Sequence, residues 1–146
     1  MVWVAALHRL CHDNGLFLPS FPISDMSDSE LEKTAMRPRR WIELSAAFEK
    51  QHLNDPSAIL CPRTTRIIDA SLVSEIDYVT SEFFLVPGGR YLVGTSPDVI
   101  SVFDLGYTSS AECKLIASVE LEGKYKNCIV QATSDGMGLI IFSSNS

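Results

Sequence analysis

The 146 residues carry 18 acidic and 12 basic side chains, a formal net charge of −6. The deficit sits in the second half: residues 1–63 hold 7 basic and 8 acidic groups, residues 64–146 hold 5 and 10, and an acidic surface repels phosphate, which argues against a nucleic-acid partner. With 46% hydrophobic and 21% charged residues the balance is that of a chain that buries a core, at single-domain length, and no apolar run approaches the ~18 residues of a membrane span.

Met1 to Leu10 is apolar, but His8 and Arg9 come too early for a secretion signal and no basic segment precedes it. Trp3, Leu7, Leu10 and Cys11 recur at helical spacing, and Asn14-Gly15 supplies a stop, since glycine takes the left-handed cap without a Cβ clash. Leu16 to Pro22 reads as an extended connector, because Pro19 and Pro22 remove amide donors and disfavour helix. Ser27 and Glu30 have the spacing of a capping box, and Met26 and Leu31 that of a hydrophobic staple, so a short helix starts at Ser27. Pro38 suits the first turn of a third helix, in which Trp41, Leu44 and Phe48 form one apolar stripe that needs something to pack against. Arg37, Arg39 and Arg40 around Pro38 read as a solvated turn.

After Pro62 the periodicity changes to that of strands. Arg66–Ala70 and Ile76–Thr80 are short and β-branched. Phe83–Val86 and Tyr91–Thr95 flank Pro87-Gly88-Gly89, a hairpin signal. Ser96-Pro97-Asp98 is a second turn. In Val99–Leu105, Ile100 and Val102 share one face and Val99, Ser101 and Phe103 the other; Lys114–Leu121 follows as a fourth strand. The pattern then begins again: Cys128–Thr133, a turn at Ser134-Asp135-Gly136, and Leu139–Phe142. Superposing Gly89 on Gly136, 47 residues later, also places Leu92 on Leu139 and Val93 on Ile140. A period of ~40–50 residues with about four strands per unit is the pattern of propeller blades.

Candidate chemistry is sparse. His8 and His12 lie one helical turn apart, but no second ligand pair of zinc spacing accompanies them. Cys113 and Cys128 lie in apolar strand contexts that favour an inert thiol, and His52 is the only histidine outside the first helix, which leaves a Cys/His nucleophile the weakest reading. Pro87-Gly88-Gly89-Arg90 lacks the Lys-Ser/Thr of a phosphate loop and precedes a strand. Glu120 and Glu122 read as a solvated pair. No catalytic, cofactor-binding or metal-binding residue follows, and the partner-binding residues are not identified. The four cysteines, Cys11, Cys61, Cys113 and Cys128, are widely spaced, which fits a reducing intracellular compartment, cytoplasmic or nuclear.

Phe83-Phe84-Leu85-Val86-Pro87-Gly88-Gly89-Arg90-Tyr91-Leu92-Val93, followed by Ile100-Ser101-Val102-Phe103-Asp104-Leu105-Gly106, resembles a WD-repeat blade, with Phe103-Asp104 where that family has Trp-Asp. The Gly-His usual before a repeat is missing; only Glu122-Gly123 stands nearby. The passages Leu16 to Pro22, Met26-Ser27, Glu30-Leu31-Glu32 and Pro38-Arg39-Arg40-Trp41 resemble the region after the F-box in mushroom-type fungal F-box proteins, in which a propeller-like region follows. That resemblance implies the lineage of ubiquitin-ligase substrate receptors. Val2-Trp3 looks like the end of the F-box itself, whose Leu-Pro and earlier helices are absent.

The expectation is therefore an α+β chain: short N-terminal helices, one antiparallel propeller-like blade and part of a second. Residues 1–54 form a helical connector, 55–63 a linker and 64–146 the truncated blades. The expected function is protein–protein interaction through the blade surface, without enzymatic activity or cofactor, and with self-association of the open strands. The rivals are a scaffold propeller unrelated to ubiquitin ligation and a small Cys/His hydrolase. Because so little of an F-box helix surface is present, residues 1–146 are expected not to bind the Skp adaptor; a pull-down with micromolar adaptor that retains the chain would refute this.

Overall fold

The computed structural model describes residues 2–55, 57, 82–96, 98–108, 110–122 and 125–145. The strands expected at Arg66–Ala70 and Ile76–Thr80, and most of the expected linker, lie outside them. The fold is α+β: the described residues form three α-helices, then six antiparallel strands in a four-stranded and a two-stranded sheet. The chain divides into two compact units, one of residues 1–9 and 23–65, the other of residues 10–22 and 66–146.

Helix α1 spans Val2–Asp13. Its stop is at the expected place: Gly15 takes φ 60°, the Leu16 amide donates to Cys11 O at 2.9 Å, and the Asn14 side-chain amide donates to Leu10 O at 2.9 Å. In the first unit, Leu7 of α1 is buried, as are Leu31 and Thr34 of α2 (Asp28–Ala35). The capping box forms as its spacing predicts. The Glu30 amide donates to Ser27 Oγ, and Glu30 Oε2 accepts from the Ser27 amide at 2.8 Å. That carboxyl is held below the usual range, first by the Ser27 hydroxyl and then by the amide.

Helix α3 spans Arg37–Asn54 with Pro38 in its first turn. Its apolar stripe is a departure from expectation. No residue of α3 is buried, Trp41 and Leu44 are exposed, and Phe48 is half-buried and stacks on His52, ring centroids 5.8 Å apart. Helix α2 meets α3, and that contact leaves the stripe at Trp41 and Leu44 exposed.

In the second unit, β1 (Glu82–Leu85), β2 (Tyr91–Thr95), β3 (Val99–Asp104) and β4 (Lys114–Glu120) run in sequential order as an antiparallel meander. Burial along β3 alternates as the sequence predicts: Val99, Ser101 and Phe103 are buried, Ile100 and Val102 half-buried. Phe103 is wholly inaccessible and packs with Leu92, Leu105 and Cys113. Leu92 and Leu115 are its cross-strand neighbours in the register. Gly94, one row along, makes room for two rings: a Cβ there would lie 3.1 Å from Phe83 and 3.4 Å from Phe103. Ser101 Oγ meets Ser118 Oγ at 3.3 Å, which satisfies a buried hydroxyl across the β3–β4 pair.

Strands β5 (Tyr125–Ala132) and β6 (Leu139–Asn145) form the second sheet. Both are longer than their apolar runs, because the ladder pairs Asn127 with Ser144 and Tyr125 with Asn145. Polar residues are thus carried into the strands by hydrogen bonding.

Phe103→Ala removes the one large side chain at the centre of the first sheet's core, and a truncation of that kind costs about 3–5 kcal/mol. The expected result is a correspondingly lower midpoint in thermal or urea unfolding. An unchanged curve would mean that this face contributes no core.

Candidate functional site

Two hairpin turns and one strap of chain come together at the end of the sheets. The first turn closes with the Val86 amide donating to Tyr91 O at 2.9 Å and the Gly89 amide to Val86 O at 2.9 Å. The second closes with the Thr133 amide donating to Gly138 O at 2.9 Å and the Gly136 amide to Thr133 O at 2.8 Å. Each bond of the second turn lies 47 residues beyond its counterpart in the first. The strand registers follow the same offset: Leu85↔Leu92 corresponds to Ala132↔Leu139, and Glu82↔Thr95 to Ile129↔Phe142. The sequence repeat is therefore a repeat of backbone hydrogen bonding.

The residues expected to form an extended connector make the strap, with Leu18–Ser20 tightened into a 3₁₀ turn. Proline's fixed φ serves a 3₁₀ turn as well as an extended chain, so Pro19 fits both. The Phe17 amide donates to Pro87 O and the Leu18 amide to Gly136 O, both at 2.9 Å. Consecutive amides thus hold one hairpin each. Close approach demands glycine at two points. Gly88 has φ 117° and a Cβ there would lie 2.5 Å from Ser20; Gly136 has φ 69° and a Cβ would lie 3.2 Å from Leu16 O.

Side chains fasten the strap to the first hairpin. The Arg90 guanidinium grips Asp104 with two hydrogen bonds, Nε to Oδ1 at 2.9 Å and Nη2 to Oδ2 at 2.7 Å. Its third nitrogen reaches Pro19 O at 3.4 Å, Tyr91 Oη reaches the same carbonyl at 3.5 Å, and the guanidinium lies 5.0 Å from the Tyr91 ring centroid. Phe17 meets Tyr91 edge-on, with centroids 5.6 Å apart. Asp104 Oδ1 also accepts from the Gly106 amide at 2.7 Å. The Arg90 hydrogen bonds, chiefly, hold the Asp104 carboxyl below its ordinary range, and the same contact raises the guanidinium.

This is a fastening, with its charges already matched. The other polar candidates do not converge on it. His8 and His12 are exposed on α1, and His12 Nδ1 lies 3.2 Å from Asp13. Among the described residues, no three metal-ligating side chains cluster. Burial pushes the Cys11 thiol up, away from the thiolate that nucleophilic attack needs, and Cys113 packs beside Phe103. Glu120 and Glu122 are exposed. No described helix is long and apolar enough to cross a membrane.

What the chain does present is apolar sheet surface. Phe83 and Leu85 on β1, Leu115, Ile116 and Val119 on β4, and Ile129, Ile140 and Phe142 on the second sheet are all exposed. The Arg90–Asp104 pair was not singled out by sequence. Its signal is a lone Arg at the start of one apolar strand and a lone Asp at the end of the next, which antiparallel pairing sets one residue out of line, with Tyr91 opposite Asp104.

No family model matches the chain, and no curated protein and no solved structure is significantly similar to it.

Asp104 is predicted to contribute stability that depends on pH. Its folded-state value is depressed, so the contribution is present above the unfolded carboxylate value of about 4 and is lost as pH falls through the lower folded value. Asp104→Asn is expected to cost about 1–3 kcal/mol at neutral pH, the usual worth of a charge-assisted hydrogen bond. Denaturant titrations should show the gap between wild type and variant closing at acid pH; a gap that is constant across pH would contradict the assignment.

Proposed function

We propose that the chain is a protein-recognition module built from propeller-type blades, of the substrate-receptor lineage of ubiquitin ligases, acting by binding and not by catalysis. The observation that carries the reading is the 47-residue repeat, in which both turn hydrogen bonds and the strand register recur. A four-stranded meander with Phe103-Asp104 closing its third strand accords with it, since a blade is such a sheet. In this reading β5 and β6 are the first two strands of the next blade. The lineage is supported by the resemblance of Leu16 to Pro22 and of Met26 to Trp41 to the segment after an F-box.

Binding by exposed apolar sheet faces, in a chain without a convergent set of reactive groups among its described residues, is the physical content of the proposal. Proximity labelling from the chain in cells tests it. A defined set of neighbours should be labelled by the wild type and lost with Phe103→Ala, which removes the core of the first sheet. Labelling that is identical for the two proteins, or a turnover-dependent label on Cys11 or Cys113, would overturn it.

A further inference from the structure

Two peptide bonds in the chain join an Asn or Asp to glycine, Asn14-Gly15 and Asp135-Gly136. At such a bond the side-chain carbonyl carbon and the next backbone nitrogen can close a five-membered ring. Glycine favours closure because it sets no side chain in the way of the rotation that brings the two atoms together. The structure treats the two bonds in opposite ways.

Asp135-Gly136 is locked. The Gly136 nitrogen, which would have to attack, donates to Thr133 O at 2.8 Å, and the Gly136 carbonyl accepts from Leu18 N at 2.9 Å. A Cβ at Gly136 would lie 3.2 Å from Leu16 O, so the strap leaves this peptide little room to turn. The Asp135 carboxylate accepts from the Thr133 hydroxyl and from the Met137 amide at 3.0 Å. Those bonds, the hydroxyl's first, hold it below its ordinary range, in the ionised form that is a poor electrophile.

Asn14-Gly15 is open. Both residues are exposed. The Gly15 amide donates to His12 O at 3.5 Å, the outer limit of a hydrogen bond. A Cβ at Gly15 would meet nothing within 4 Å, so the peptide has space to rotate. The bond from Asn14 Nδ2 to Leu10 O, at 2.9 Å, holds the leaving nitrogen and not the attacking one.

We propose that Asn14 is a site of spontaneous deamidation. The Gly15 nitrogen attacks Asn14 Cγ and forms a new N–Cγ bond. The Cγ–Nδ2 bond breaks, and Nδ2 leaves as ammonia with the proton given up by the Gly15 amide, which leaves a cyclic imide. Water then opens the ring at either carbonyl, to aspartate or, with the main chain routed through the side-chain carbon, to isoaspartate. Water is the only reagent. Either product removes the donor to Leu10 O and sets a carboxylate at the C-terminal end of α1, where the helix dipole disfavours negative charge. Isoaspartate also lengthens the main chain at the joint between α1 and the strap. The inference does not rest on the recognition function, so each can fail alone.

Incubation of residues 1–146 at mildly alkaline pH and physiological temperature, followed by peptide mapping with fragment-ion assignment, tests it. The expected result is conversion of Asn14 to a mixture of aspartate and isoaspartate while Asp135 stays unchanged. In urea both bonds should react, so the ratio of Asn14 to Asp135 conversion should fall on unfolding. Gly15→Ala sets a Cβ beside the attacking nitrogen and should slow conversion by at least about tenfold, a modest rise in barrier. A side chain at φ 60° is strained, and the comparison with urea supplies a reading on the unaltered chain. An Asn14 that stays intact in the folded chain while it converts in urea overturns the proposal. So does aspartate without isoaspartate, which would mean direct hydrolysis, a ratio that unfolding leaves unchanged, or a Gly15→Ala chain that converts as fast as the wild type.

Discussion

The amides of Phe17 and Leu18 are neighbours in the chain, yet they donate to different hairpins, one at Pro87 and the other at Gly136. Successive peptide groups in near-extended backbone point to opposite sides, so a single strap can serve two turns only if the turns approach it from opposite flanks. That condition makes demands on each partner. Gly88 and Gly136 must lack a side chain, because the strap occupies the space a Cβ would take. Ser20 must be small for the same reason, and its buried hydroxyl has no hydrogen-bond partner among the described residues. An unmet hydroxyl of this sort costs about 1–3 kcal/mol. The close fit against Gly88 and the hydrogen bonds on either side offset it.

Periodicity made much of the strand content legible. Tyr91–Thr95 stands where its apolar pattern and flanking turns put it, and the alternation in β3 sorted its residues onto two faces, of which the structure buries the one with Val99, Ser101 and Phe103. The capping box at Ser27 was equally readable, because its chemistry is local and needs only a three-residue spacing. The less legible features depend on distance in the chain. Arg90 and Asp104 are 14 residues apart, and Arg90 reaches a carbonyl 71 residues away. A Pro-containing connector reads as linker because proline reports what the backbone avoids, and not what its neighbouring amides will reach. The α3 stripe misled in the opposite sense. Trp41 and Leu44 satisfy a helical pattern, but a pattern marks an apolar face and does not supply the element that covers it.

The two sheets differ in what holds them. In the first, Phe103 is enclosed, Ser101 and Ser118 satisfy one another, and the Arg90–Asp104 grip ties β2 to the end of β3. Among the described residues the second has two strands, and its apolar side chains Ile129, Ile140 and Phe142 are exposed. A two-stranded ladder in water is marginal without a third strand or a packed face. Its turn is braced from within, since Asp135 accepts from the Thr133 hydroxyl and from the Met137 amide at 3.0 Å, and from without by Leu18.

A line of contacts follows from this arrangement. Asp104 fixes Arg90; Arg90 and Tyr91 hold the carbonyl of Pro19; the strap so placed presents Leu18 to Gly136. Each link is polar, short at Asp104 and at Leu18 and longer at Pro19, and each bears on the position of the next. The order of the second hairpin therefore depends on an ion pair in the first sheet as well as on its own ladder. Loosening Asp104 frees the guanidinium, which removes one of the two side chains on Pro19 and leaves the strap held at that point by Tyr91 at 3.5 Å, near the limit of a hydrogen bond. The element that would feel this first is the one with the least packing of its own, the β5–β6 pair.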